Sequence, residues 1–240
     1  MSKIIINGAK GKMGKLAHEA LGEDEQFEIV ALLGRQDDLA EAIAEKKPDA
    51  VLDLTLASVV FQNARAIIQS GVSPIIGTSG LNQDNVAKLS ALAVDIGIGG
   101  LIIPNFSLTA VLMMKYAQDA AKYLKNVELV EYHHDKKEEA PSGTAIRTAE
   151  LISQSQITSR PRGRDMIPGA LGAEYENLPI HSVRMPGFVA SQEVIFGDEG
   201  ETLNLRSNAI SRAAFKKGIR LACAAAPKCK TLQVGLETIL

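Results

Sequence analysis

The chain has 240 residues, with 26 lysines and arginines against 28 aspartates and glutamates, for a formal net charge of −2. So even a balance excludes a general binder of nucleic acid or anionic membrane, which needs a basic surface. Hydrophobic residues at 46% supply an ordinary globular core, while aromatics at 4% and no tryptophan leave little for stacking single-stranded bases.

The N-terminal MSKIIINGAKG is too short in apolar residues for a secretory segment, and no apolar run approaches the ~20 residues that span a bilayer. A cytoplasmic protein is expected. The two cysteines, Cys223 and Cys229, lack a CxxC spacing and read as structural; no metal site is expected.

In chain order, KIIIN (Lys3 to Asn7), FEIVALL (Phe27 to Leu33), AVLDL (Ala50 to Leu54), SPIIG (Ser73 to Gly77) and GLIIPN (Gly100 to Asn105) read as strands. Each is short and apolar on both faces, as buried parallel strands are. MGKLAHEAL, VVFQNARAIIQS and NQDNVAKLSALAVDI have helical spacing between them, which predicts a doubly wound parallel sheet. A longer helix, LTAVLMMKYAQDAAKYL, leads out from Leu108. From Val127 the texture changes. VELVEYHH and the stretch from Ser182 to Ala209 alternate apolar and polar residues, predicting a mixed or antiparallel sheet with one covered face. Between them lie the helix TAIRTAELISQ and a polar run with Arg160, Arg162 and Arg164. The tail SRAAFKKGIRLACAAA returns to helical spacing and is expected to rejoin the first domain.

Four loops carry candidate chemistry. In IINGAKGKMG, Gly8, Gly11 and Gly14 fall at the turn from the first strand into the first helix. There glycines permit a tight turn and close approach of a pyrophosphate to free helical N–H groups. Lys10 and Lys12 add mobile charge. The acid that holds NAD ribose hydroxyls is missing from the second strand's end, which reads Gly34-Arg35. An arginine there pairs with a 2′-phosphate, so NADPH is favoured while NADH stays open. Asp37 and Asp38 come slightly late and fit the opening of the next helix. GTSG (Gly77 to Gly80) and PNFS (Pro104 to Ser107) follow strands four and five, at the edge where open α/β sheets bind ligands.

The fourth loop begins at EYHHDKKEEAPSGTA. His133 and His134 are adjacent on a strand, so they point to opposite sides and suit a proton donor plus a binding group better than one metal. Lys137 adds a second charge or proton. Ser142-Gly143-Thr144 opens a helix, a device that binds a carboxylate. Asp135, Glu138 and Glu139 would also fit a merely charged surface loop.

This segment resembles the signature of the dihydrodipicolinate reductase family, and the resemblance extends to GAKGKMG, GTSG, PNFS, VRMPGFVASQEVIFG and ISRAAF. It implies a Rossmann-like α/β domain over 1–106, an inserted α+β substrate and tetramerisation domain over 107–211, and a C-terminal return over 212–240. It implies reduction of a cyclic dicarboxylate, 4-hydroxy-tetrahydrodipicolinate, by NADPH or NADH in the diaminopimelate route to lysine, in a homotetramer. His133 would be the general acid/base and Lys137 the second donor. His134, Ser142, Gly143 and Thr144 would contact substrate. Cofactor contacts would fall on Gly8, Ala9, Lys10, Gly11, Lys12 and Met13, on Arg35, on Gly77, Thr78 and Ser79, and on Ile103, Pro104, Asn105 and Phe106. The chain departs from the family at Glu139, where Asp is usual, at Gly34, where an acid is common, and at Ser191 and Ser207, where many members carry histidine. A reductase of another imine, or a dinucleotide-sensing protein without catalysis, would lack the HH…K…PSGT set.

Overall fold

A computed structural model describes residues 1–155 and 163–240. Arg160 and Arg162, two of the three arginines in the polar run, lie outside the described residues. The chain divides into two compact units, Met1–Leu108 with Ala213–Leu240, and Thr109–Arg212.

The first unit is a six-stranded parallel sheet. Its elements in order are β1 (Ser2–Asn7), α1 (Lys12–Gly22), β2 (Phe27–Leu33), α2 (Leu39–Lys46), β3 (Ala50–Asp53), α3 (Val60–Gln69), β4 (Ser73–Ile76), α4 (Gln83–Ile96) and β5 (Gly100–Ile102). The long helix α5 (Leu108–Ala120) follows, and the elements of the second unit come next. With β11 (Leu232–Val234) from the end of the chain, the strand order is β11-β5-β4-β3-β1-β2, every neighbouring pair parallel. Ile4, Ile5 and Ile6 are fully buried, as are Ala50, Val51 and Leu52, because helices cover both faces. The helices are punctuated by side chains with local hydrogen-bonding reach. Asp38 caps α2 by accepting from Ala40 and Glu41 N–H groups, and Asn82 with Asn85 forms a capping box on α4.

Two elements of this unit differ from expectation. The run after Arg35 forms a whole helix, α2, where only a helix start was read. The tail adds a short strand, β11 (Leu232–Val234), beside β5, after helix α7 (Lys216–Ala225). Lys216 and Arg220 of α7 pair with Glu19 and Glu23 of α1, so the C-terminal helix packs back on the first. Cys223 is buried in that helix, and burial pushes its thiol pKa up, which leaves it an inert apolar group.

The second unit is a five-stranded mixed sheet, β10-β9-β6-β8-β7. Its strands are β6 (Asn126–His133), β7 (Ala173–Tyr175), β8 (Leu178–Arg184), β9 (Ala190–Asp198) and β10 (Glu201–Ala209), with helix α6 (Gly143–Ser153) after β6. Only the β6–β8 pair is parallel, and it sets His133 opposite Arg184 and Glu131 opposite Ser182. Val127, Leu129, Val194 and Phe196 are buried on one face. Gln192 of β9 donates 2.6 Å to the Thr148 hydroxyl of α6, fixing that helix on the same face.

Candidate active site

The glycine loop in the first unit is built by backbone necessity. Gly8 has φ +87°, and a Cβ there would collide with the Leu54 carbonyl; one on Gly14 would strike the Gly8 carbonyl and Ala9. Gly8 and Ala9 both donate their N–H groups to the Leu33 carbonyl, which folds the turn over the end of β2. Gly11 opens α1 without a side-chain cap, so the first-turn amides around Lys12 and Met13 have no side chain to satisfy them. A cavity of about 470 Å³ lies on this loop, with Gly8, Lys10, Gly11, Gly34 and Arg35 in its wall. Glycine-built walls beside free helical amides fit a dinucleotide pyrophosphate.

The Gly34 side of the cavity shows what stands where the second strand lacks an acid. Lys10 runs alongside Gly34, in the space a side chain there would occupy. The Asp37 carboxylate accepts the Gly34 N–H at 2.7 Å and lines the same cavity, whereas Asp38 is spent on capping α2.

Behind the cavity lies a hydrogen-bonded hub that sequence reading missed. Asp53, fully buried at the end of β3, accepts from Asn7 (2.9 Å), Asn63 (2.8 Å), Thr55 (2.8 Å) and Thr78 (2.7 Å). This ties the GTSG loop to the β3 end. The available signal was one acid closing an otherwise apolar strand. Thr78 is thus a donor to Asp53, Ser79 is exposed, and Gly77 leaves space that the Phe106 ring fills. Ile103 and Phe106 are buried, Pro104 is exposed, and Asn105 accepts the Ser107 N–H at 2.8 Å.

In the second unit β6 ends at His133, and His134 begins the following turn, in which Lys137 N–H reaches the His134 carbonyl at 3.1 Å. Lys137 Nζ pairs with Glu139 at 2.9 Å. That contact and the other hydrogen bonds of Glu139 hold its carboxyl below the usual range. Ser142 caps α6, its Oγ accepting from Ala145 at 3.2 Å. Gly143, the first helical residue, is exposed, and a Cβ added there would meet nothing. Thr144 follows on the same turn.

Glu131 lies under this loop with none of its surface exposed. Its Oε1 accepts from Ser182 Oγ (2.7 Å), Arg184 Nη2 (2.8 Å) and Ser142 N–H (3.1 Å). Its Oε2 is 3.1 Å from the same Ser142 nitrogen and 3.4 Å from His133 Nδ1. The last is a long contact, and Nδ1 is otherwise buried without a partner. Burial opposes ionisation of this carboxyl. The His133 ring, Ser142, Arg184 and Ser182 outweigh burial and hold it well below the usual carboxylate range. Arg184 also donates 2.7 Å to the Glu139 carbonyl, closing the loop onto β8.

Ser191 and Ser207 are buried in β9 and β10, and the Ser207 hydroxyl shares a 2.9 Å hydrogen bond with Thr109. Among the described residues no cluster of histidines, cysteines and acids has the makings of a metal site. No described helix is long and apolar enough to cross a membrane.

Comparison with known proteins covers the chain end to end. Residues 2–106 match the family model described as dihydrodipicolinate reductase, N-terminus, and residues 109–240 match the model for its C-terminus. A 4-hydroxy-tetrahydrodipicolinate reductase of Legionella pneumophila is 46% identical, over 100% of this chain and 99% of its own. The Geobacillus kaustophilus enzyme of that name is 40% identical over 99% and 98%. A dipicolinate-bound dihydrodipicolinate reductase from Paenisporosarcina sp. TG-14 superposes with TM-score 0.93 at 37% identity, over the whole of both chains.

Proposed function

The chain belongs to the dihydrodipicolinate reductase family, and we propose that it works as one through the loops described above. The reaction is the NAD(P)H-dependent reduction of 4-hydroxy-tetrahydrodipicolinate to tetrahydrodipicolinate, in diaminopimelate and lysine biosynthesis. The observation that carries the residue assignment is the strand-to-helix segment from Glu131 to Thr144. It sets a histidine, a lysine and an open glycine at the helix start within one turn-and-cap structure.

Loss of the 4-hydroxyl as water leaves a conjugated imine. The glycine loop, Arg35 and the GTSG and PNFS loops would hold NAD(P)H, which would supply a hydride to that imine. One proton must arrive at the far end of the conjugated system for the product to be neutralised. His133 is its donor: Nδ1 is turned inward and buried, which leaves Nε2 to meet a ligand. Lys137 is the second donor, its Nζ 2.9 Å from the Glu139 carboxylate. A positioned donor of this kind contributes about 10²–10⁴ in rate. One substrate carboxylate seats at the α6 opening, on the backbone of Gly143 and the hydroxyl of Thr144, with His134 as a further contact. Ser142 shapes that opening through its cap and its hydrogen bond to Glu131.

The cofactor reading favours NADPH, since Arg35 and Lys10 line the cavity beside Gly34, which brings no acidic side chain there. A homotetramer in the cytoplasm completes the proposal; light scattering tests its mass. The deciding assay is NAD(P)H oxidation with the product of aspartate-semialdehyde and pyruvate condensation. Turnover is expected, and pyridine-2,6-dicarboxylate should inhibit it competitively and far better than the monocarboxylate. No turnover with that substrate overturns the function.

A further inference from the structure

We infer that Glu131 is the positioning residue of this site, orienting the proton donor and the carboxylate grip through one buried anion. The inference rests on the reading of His133 as donor. Three facts lead to it. The carboxylate is wholly buried, yet it meets side chains or backbone from three segments: β6 itself, β8 and the start of α6. It also lies 3.4 Å from a His133 nitrogen that is buried and has no other partner. Finally, Oε1 is filled by Ser182 and Arg184, whereas Oε2 carries only the shared Ser142 N–H and so has capacity for one more donor.

A proton on Nδ1 therefore has an acceptor, and the ring presents Nε2 outward. When Nε2–H gives its proton to the substrate carbon, Nδ1–H stays on Glu131 and the neutral ring is left in one tautomer; water then restores the Nε2 proton. Glu131 itself does not exchange a proton, because its hydrogen bonds keep it ionised. The same carboxylate holds the Ser142 amide, so movement of the donor and of the helix opening is coupled. The charged groups around the pair are Arg184 from β8 and, on the loop after His134, Lys137 with Glu139. Opposite Glu131 and His133 on β9 stand the neutral Gln192 and Ala190. Without the Glu131 charge, Arg184 faces His133 uncompensated and the imidazolium becomes harder to form.

The test is Glu131→Gln in the full chain, which keeps the shape and one acceptor but removes the charge. Expected are a kcat lowered at least about tenfold and an alkaline limb of the pH–rate profile moved about one unit toward acid. The dissociation constant for NADPH, read by fluorescence, should stay within about twofold, since the glycine loop belongs to the other unit. A variant that loses thermal stability but keeps the alkaline limb in place overturns the inference, because a purely structural acid would do only that. Should the variant not fold, the unaltered protein still answers. In ¹⁵N-histidine spectra, the signal missing from His133→Asn should report the Nδ1–H tautomer, and an Nε2–H tautomer overturns the inference. Failure of the function itself is separate: it shows as absent turnover in the unaltered protein.

Discussion

Replacing Gly143 by Ala separates ligand binding from folding. Gly143 is the first residue of α6, its φ is not left-handed, and a Cβ built on it meets no atom within 4 Å. The folded chain therefore accepts the methyl group, while the unfolded chain loses some of glycine's freedom. That exchange stabilises by about 0.4–1 kcal/mol, or roughly 1–4 °C in Tm for a protein of this size. A ligand carboxylate at the helix opening needs the space the methyl now fills. Losing one charge-assisted hydrogen bond costs about 1.5–3 kcal/mol, so pyridine-2,6-dicarboxylate should bind roughly 10- to 150-fold more weakly. Differential scanning calorimetry gives the first quantity and isothermal titration the second, on the same sample. A variant that binds the dicarboxylate normally refutes the carboxylate site. A fall in Tm of several degrees would instead show that the glycine is needed by the fold.

Arg35→Ala should weaken NADPH about tenfold and leave NADH nearly unchanged, the low end for a charge-assisted bond because Arg35 is exposed; equal losses in a fluorescence titration would count against the 2′-phosphate contact. His133→Gln and Lys137→Gln should each reduce kcat by roughly 10²-fold or more at saturating substrate, with NADPH affinity level, and near-normal turnover in either removes that residue's donor role. Thr144→Val should raise the substrate KM and the dicarboxylate inhibition constant together, about tenfold for one hydrogen bond to a charged group; a change in only one of them speaks against a shared carboxylate contact. The Glu131 carboxyl is depressed in the folded chain, so its stabilisation is complete above the unfolded value of about 4.3 and drains away as pH falls from there through the lower folded value. The gap between the urea midpoints of wild type and Glu131→Gln should thus begin to narrow below about pH 5 and keep narrowing as pH falls, and a constant gap would deny the depressed carboxyl.

What could be read from the residues was whatever depends on near neighbours. FEIVALL coincides with β2, and the helix read from Leu108 to Leu124 starts where α5 starts and overruns its end at Ala120, because their apolar periodicity is self-contained. The three-residue β11 could not announce itself, since its strand character exists only beside β5. Helix α2 was obscured by its charged opening, where Asp38 acts as a cap. The site divides along the same line. Histidine, lysine and Pro-Ser-Gly-Thr stand within 12 residues, and one strand, turn and helix start bring them together. Asp53 meets Asn7 across 46 positions, and Glu131 meets Arg184 across 53. Nothing in EYHHDKKEEAPSGT distinguishes Glu131 from the acids beyond the histidines, which fit a solvated loop. The distinction comes from register. Parallel pairing of β6 with β8 sets Glu131 opposite Ser182 and His133 opposite Arg184, and the pleat turns Glu131 to the covered face. A slip of one residue would turn that acid toward the opposite face and leave Arg184 without its carboxylate. The buried ion pair and the candidate donor loop therefore select the same strand register, which makes the sheet's alignment part of the candidate site.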